Sequence, residues 1–326
     1  MTSSKATPKV SIIMNCFNGE KYLSEAIESV INQTYTDWEL IFWDNCSTDG
    51  SAKVFKSYSD DRLKYFLSDQ HTTLGQARAN AWQCVTGDYV AILDVDDLWM
   101  PKKLEYQIPL FDDSEVGLVI SNACTKCSHH EKKYFQKKYP EEGFVFPELL
   151  KNYFVCLPVL VVRKSFVDRL EIPSFDAQFS MIADFDLVLR LSRISKLAVV
   201  KEMLGMWRAH GDNLTYAQSD KFYIETKEWI RKYETMPEFF SGHQEALVIF
   251  KNHIERAEAV RLISVGKKKM AYLKIKSGAD RDFRSYVLMA CVIMPFSSYV
   301  IRCVKYLKMR SVLLNAVTNV LFKRAI

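Results

Sequence analysis

Three carboxylates end one apolar run in this chain: Tyr89-Val90-Ala91-Ile92-Leu93 is followed at once by Asp94-Val95-Asp96-Asp97. A continuous apolar run with β-branched residues reads as a strand buried on both faces. Ligands of open α/β sheets gather at the carboxyl ends of the strands, so these acids stand where binding is expected. Asp94 and Asp96 are two apart and point the same way in extended chain. Paired oxygens of this kind suit a hard divalent cation that keeps waters and grips a phosphate. Taken alone, the stretch equally suits a solvated acidic turn capping a helix that starts near Pro101.

Two later motifs bear on that choice. Asp184, in Ala183-Asp184-Phe185-Asp186-Leu187, stands at the start of a helix-periodic run. A carboxylate there can take a proton from a hydroxyl within hydrogen-bond reach, or simply cap the helix. Asp186 is expected to orient or cap rather than react. His210 closes a strand-like run at Arg208-Ala209-His210; it is a metal ligand in one reading and a loop histidine in the other. Cys124, Cys127, His129 and His130 offer zinc donors, but no second pair follows at finger spacing, and zinc is not expected.

The elements that must position these groups follow from apolar periodicity. Strands are expected at 10–14, 38–43, 63–67 and 89–93, with helices at 20–32, 51–58 and 74–84 between them. Crossover helices of this kind imply parallel strands covered on both faces, which puts Asn15, Asp44 and Asp94 on one edge. Further on, 101–111 reads as a helix, 116–121 as a strand, and 122–143 as a mobile basic loop. Strands are expected at 157–162, 197–200 and 203–207, and helices from about Tyr216 onward. The whole reads as an α/β fold, a sheet flanked by helices over 1–215, followed by a helical, basic extension over 216–326.

The 326 residues are 48% hydrophobic with a net charge of +5, enough for a large domain with an extension. The charge is uneven: after Asp282 no acid remains, while Arg284, Arg302, Lys305, Lys308, Arg310, Lys323 and Arg324 follow. Residues 286–301 are apolar but interrupted by Pro295, Ser297 and Ser298, short of the roughly 20 residues that span a bilayer. Residues 310–323 are amphipathic beside basic groups, which suits a membrane interface, with packing on the body or a second subunit as the alternative. Eight scattered cysteines and a polar start at 1–9 without a signal-peptide core suit a reduced, cytoplasmic protein, peripheral on the inner face of the cell membrane.

Together the pieces resemble the family 2 inverting glycosyltransferases of the GT-A fold, from about Val10 to Thr215, and the resemblance implies a Rossmann-like mixed sheet. The resemblance is carried by the opening Val10-Ser11-Ile12-Ile13-Met14-Asn15-Cys16-Phe17-Asn18-Gly19-Glu20, by Asp44-Asn45-Cys46-Ser47-Thr48-Asp49-Gly50, and by Gly75-Gln76-Ala77-Arg78. Asp94-Val95-Asp96 matches the family's Asp-X-Asp, Asp184 its late acidic motif and His210 its closing one. The resemblance implies a nucleotide-sugar donor, favouring UDP, bound by Phe17, Asn18, Glu20, Asp44, Asn45, Arg78 and Asp94. It implies Mn²⁺ or Mg²⁺ on Asp96, with His210 as second ligand, and Asp184 as general base. Many relatives carry glutamate where Ala183 stands, which bears on the acceptor. A saccharide, plausibly lipid-linked in surface polysaccharide assembly, is the implied acceptor; nucleic acid is not expected as a partner.

A nucleotidyltransferase and a binding scaffold are the main alternatives. A nucleotidyltransferase would show a glycine-rich phosphate loop near the first strand, where Gly19 is the only glycine. A nucleotide-sugar-binding scaffold without turnover would not need Asp96, Asp184 and His210 together.

Overall fold

The structure, a computed structural model, describes residues 9–277 except 128–129, 137, 173, 212 and 215–217. β1 (Val10–Cys16), β2 (Trp38–Asp44), β3 (Leu63–Leu67) and β4 (Tyr89–Ile92) form a parallel set in the order β3-β2-β1-β4. Their linkers carry α1 (Glu20–Ile31), α2 (Ser51–Lys56) and α3 (Leu74–Trp82). α1 buries Leu23, Ala26, Ile27 and Val30, a helical stripe. That stripe packs with Ile12, Met14, Leu40, Phe42 and Phe55 in one core. α3 begins on Thr73, whose hydroxyl accepts from the Gln76 N–H, a side-chain N-cap.

The sheet then becomes mixed. β8 (Val161–Arg163) runs antiparallel to β4 and to β6 (Val116–Cys127), while β6 runs parallel to β9 (Lys196–Arg208). β5 (Leu98–Trp99) pairs with β9 at the far end. Between them lie α4 (Lys103–Gln107), α5 (Phe146–Lys151), α6 (Lys164–Val167) and α7 (Ala183–Ser192).

Several expectations are corrected. The basic loop at 122–143 is in part a hairpin: β6 continues to Cys127 and pairs with β7 (His130–Lys133). The Asn122 carboxamide pins it, accepting from the Phe135 N–H and donating to its carbonyl, each at 2.9 Å. Polar residues on the protruding half of a strand hide its period. The helix at 101–111 is one α-turn followed by a 3₁₀ segment over Ile108–Asp112, because Pro109 cannot donate in a helix interior. The strand at 157–162 starts late for the same reason: Leu157–Val159, with Pro158, is a 3₁₀ turn. Strands 197–200 and 203–207 are one strand, β9, with register irregularities where β6 passes Ser121 to Ala123. The central strand ends at Ile92, before the acids.

By compactness the chain divides into two units. The first comprises Met1–Leu149 with Tyr153–Trp229, and the second Leu150–Asn152 with the residues from Ile230. The described part of the second includes α9 (Gln244–Ser264) and α10 (Lys268–Ser277), closed around Leu262, Ile263, Ala271 and Ile275. α8 (Ser219–Glu234) contributes to both. No described helix is long and apolar enough to cross a membrane. The apolar run at 286–301 and the amphipathic run at 310–323 lie outside the described residues, as do the His129 imidazole and the side chains of Cys127 and His130.

Candidate active site

The loops after β1 and β2 are stitched together at the carboxyl edge of the sheet. Asn18 is held at φ 54°, a conformation asparagine tolerates better than most residues. Its Oδ1 accepts from the Thr48 N–H at 2.8 Å, and its own N–H donates to Ser47 Oγ. Glu20 and the second loop clasp each other: the Glu20 N–H donates to Asp49, and the Gly50 N–H donates to Glu20 Oε2. A Cβ on Gly50 would lie 2.3 Å from Glu20 Oε1, so a side chain there would push the Glu20 carboxylate aside.

Asp44 is buried at the tip of β2. Its carboxylate accepts from the Ser47 N–H at 2.8 Å and from the Tyr65 hydroxyl at 2.7 Å. Asn45 spends its carboxamide on the next loop, accepting from Thr72 N and Oγ1 and donating to the Thr72 carbonyl. That loop brings His71 under Phe17, ring centroids 4.1 Å apart, with Phe17 49% exposed. An exposed aromatic face beside buried hydrogen-bonding groups is a stacking platform for a planar ring. Thus Phe17, Asn18 and Asp44 line the edge, while Glu20 and Asn45 act by fixing its loops.

β4 has already ended at Ile92, and the acids after it take different partners. Asp94 faces Arg78, whose buried guanidinium donates to it at 3.0 Å and lies 4.0 Å from Asp184. One cation thus spans the acid after β4 and the acid that opens α7. Asp184 is the second residue of α7, after Ala183, and is not its cap. Burial raises its pKa, against the pull of Arg78. Gly75 lets α3 come this close: a Cβ there would meet the Phe179 carbonyl at 1.7 Å.

Asp96 meets His210 instead, Oδ2 to Nε2 at 2.8 Å, and Asn213 donates to the same carboxylate at 3.2 Å. Asp97 is buried and accepts from the Arg208 N–H at 2.9 Å. Arg208 also donates to the Asp96 carbonyl, so Asp97 and Arg208 latch the two loops. Oxygens of Asp94, Asp96 and Asp97 lie within 4.8 Å of one another. Burial first, then the neighbouring carboxylates, push the pKa values of Asp96 and Asp97 up. A dication held by Asp96 and His210, with Asp94 beside it, fits this donor set and would relieve the repulsion. Asp97 is engaged by the backbone and is a poorer ligand.

Sequence reading missed three residues here and placed a fourth, Asn15, on the edge without a role. Asn15 is 8% exposed at the end of β1, and neither amide atom has a hydrogen-bond partner. Asn213 orients both Asp96 and His210, accepting the His210 N–H at 2.6 Å. Glu225 gathers the N–H groups of Ser180, Met181 and Ile182, which shapes the approach to α7. Tyr153 packs on Phe185 with its hydroxyl buried and without a partner. Only Asn15 carried a signal, a polar residue ending an apolar run. Asp186, by contrast, is fully buried and bonded to Arg190 and the Trp229 indole, an orienting role as expected.

Known proteins resemble this chain in sequence and in fold. Residues 11–169 match the family model described as glycosyl transferase family 2. The UDP-Glc:alpha-D-GlcNAc-diphosphoundecaprenol beta-1,3-glucosyltransferase WfgD of Escherichia coli is 32% identical over 155 residues, 47% of this chain and 60% of that enzyme. Several curated relatives are likewise matched over less than two thirds of their own length. Among solved structures, the mannosyltransferase PcManGT of Pyrobaculum calidifontis, in complex with GDP-Man and Mn²⁺, has a TM-score of 0.58 at 16% identity, over 98% of this chain and 89% of that one. S. aureus TarS 1–349 in complex with UDP-GlcNAc has a TM-score of 0.56 at 14% identity, over 92% of each chain. These structural likenesses establish the GT-A fold. Residues 11–169, just under half of the chain, are thus similar to the family 2 glycosyltransferases.

Proposed function

We propose that the chain transfers a sugar from a nucleoside-diphosphate sugar, of the UDP class, to a hydroxyl of a saccharide carried on a lipid diphosphate. The observation that carries this is the Arg78 guanidinium spanning Asp94 and Asp184, with the Asp96–His210 pair beside it. A donor-side acid, a metal-binding pair and a base are thus gathered at one strand edge. The relatives support the acceptor class, since the WfgD enzyme is named for a sugar on diphosphoundecaprenol. The setting would be surface polysaccharide assembly, with the protein at the cytoplasmic face of the membrane.

The chemistry follows from the residues. The nucleobase stacks on Phe17, with Asn18 and Asp44 at its edge and Glu20 and Asn45 holding the loops. Asp94 addresses ribose or sugar hydroxyls while Arg78 holds it in place. The acceptor hydroxyl approaches the anomeric carbon from the face opposite the diphosphate and gives its proton to the Asp184 carboxylate. The new C–O bond forms as the bond to the diphosphate breaks, and the electron pair leaves with the nucleoside diphosphate, so the anomeric centre inverts. Mn²⁺ or Mg²⁺ on Asp96 and His210 would supply Lewis-acid neutralisation of charge at the leaving diphosphate. The raised pKa of Asp184 brings the base nearer to working pH. Transfer is expected to fall as pH drops through that raised value.

A panel of nucleotide sugars, with Mn²⁺ or with chelator, tests the reading by thermal shift, donor hydrolysis and transfer to a GlcNAc-diphosphoalkyl acceptor. One donor that stabilises the protein and is consumed only with metal is expected. Folded protein that responds to no nucleotide sugar in the presence of metal would overturn it in favour of a scaffold.

A further inference from the structure

The second unit carries a surface that the transfer chemistry does not use. α9 ends in a left-handed turn at Gly266, φ 82°, where the Lys267 N–H returns to the Leu262 carbonyl at 2.8 Å. α10 follows at once and buries Ala271 and Ile275 against α9. Helical geometry then fixes what faces outward. Met270 is 55% exposed and Leu273 is 54% exposed, one turn apart, with exposed Lys269 and Lys276 flanking them. Val265, 47% exposed, extends the apolar strip at the turn.

The charge around this strip has one sign. No acidic residue occurs between Glu258 and Asp280, an interval holding Arg261 and five lysines. The nearest acids on the packed helix, Glu255 and Glu258, are turned to Lys274, 3.1 and 2.9 Å away. They neutralise that lysine and leave the outer face cationic. A short apolar strip inside a lysine rim is complementary to one surface in particular, a leaflet whose headgroups are anionic and whose acyl boundary accepts methionine and leucine.

We propose that the outward face of α10, Met270 and Leu273 between Lys269 and Lys276, docks on a lipid leaflet rich in anionic headgroups. The proposal rests on the second unit alone and stands or falls apart from the transferase reading. It also differs in place from the membrane contact expected of 286–323, since these residues precede that segment.

Co-sedimentation of the full chain with vesicles tests it. Vesicles of phosphatidylcholine alone are compared with vesicles containing 30% phosphatidylglycerol (about one lipid in three, enough for a strongly negative surface), at low and at high salt. The wild type is expected to partition onto the anionic vesicles and to release as salt rises. Lys269→Glu with Lys276→Glu, and separately Met270→Glu with Leu273→Glu, should each lower partitioning about tenfold, the change expected of losing charge attraction or apolar insertion. Because all four side chains are exposed or at the rim, the thermal melts should match wild type. Lys269→Arg with Lys276→Arg keeps the charge and should keep partitioning. Wild-type partitioning in both glutamate variants would overturn the proposal and move any contact to the chain beyond. Equal binding to uncharged vesicles, or retention of duplex RNA in place of vesicles, would overturn it as well.

Discussion

Two carboxylate sites sit at opposite edges of the same sheet, one cluster around the single buried acid Glu39 and one around several buried and half-buried acids, and they are built on opposite terms. At the amino edge, Glu39 accepts from Ser11 Oγ and from the Thr86 N–H and hydroxyl, and it pairs with Lys64. Burial would raise its pKa, but these donors outweigh it and hold the carboxyl below the usual range. At the carboxyl edge, burial and like charge raise Asp96, Asp97 and Asp184. There the Asn15 amide, Arg78 Nε and His210 Nδ1 are also buried without a partner. The first cluster is satisfied by the protein itself and serves the fold. The second is left short of counter-charge and partners, as expected where a ligand completes the set.

The largest effect should come from removing the acid that the second cluster is organised around. Asp96→Ala is expected to lower metal-dependent transfer by about 100- to 1000-fold or more, the scale of losing a main electrostatic contact in a transition state. Steady-state rates with Mn²⁺ check it, and the melting temperature should hold or rise as repulsion is relieved. Asp184→Asn should retain donor affinity in calorimetry while losing transfer by about 100- to 10,000-fold, the range for a positioned base. Full transfer by that variant would place the base elsewhere.

At the other edge the readouts exchange. Glu39→Gln should leave donor binding intact and cost about 1–3 kcal/mol of stability through lost charge-assisted hydrogen bonds, read by chemical denaturation. The sign with pH is set by the depressed pKa of Glu39. Its contribution is present above the unfolded glutamate value of about 4.3 and drains away as pH falls through the folded value. The wild type and Glu39→Gln should therefore converge in stability at acid pH; a difference that persists there would contradict the assignment. The smallest effect belongs to a charge outside both clusters. Lys103 is fully buried, its ammonium 4.1 Å from the Trp99 ring with no hydrogen-bond partner, and burial lowers its pKa. Lys103→Met should be neutral or stabilising by about 1 kcal/mol, since a buried charge without a partner is a net cost; a large loss would mean the amine has a role that its surroundings do not show.

The contrast also marks what the chain discloses before folding. β1, β2 and β4 were legible because strands buried on both faces read as nearly continuous apolar runs, and the half-exposed β3 through its short stretch at Leu63–Leu67; the acids were legible because such a run stops on them. The hairpin of β6 and β7 was not, since half of its length is polar on both sides. Which acid meets which partner was not legible either. Arg78 and Asp94 are sixteen residues apart, and His210 and Asp96 are 114 apart; such pairs are made by topology, not by local pattern. Asn15 shows the limit most plainly. In sequence it is one amide ending an apolar strand, and only packing reveals that both its polar atoms lack partners.

The most direct test sets the two edges side by side. Binding of UDP in Mn²⁺, by calorimetry, and the melting temperature are measured on wild type, Asp96→Ala and Glu39→Gln. The account predicts that Asp96→Ala loses metal-dependent binding and keeps its melting temperature, while Glu39→Gln binds as wild type and melts lower. Metal-dependent binding that survives in Asp96→Ala and disappears in Glu39→Gln would contradict it.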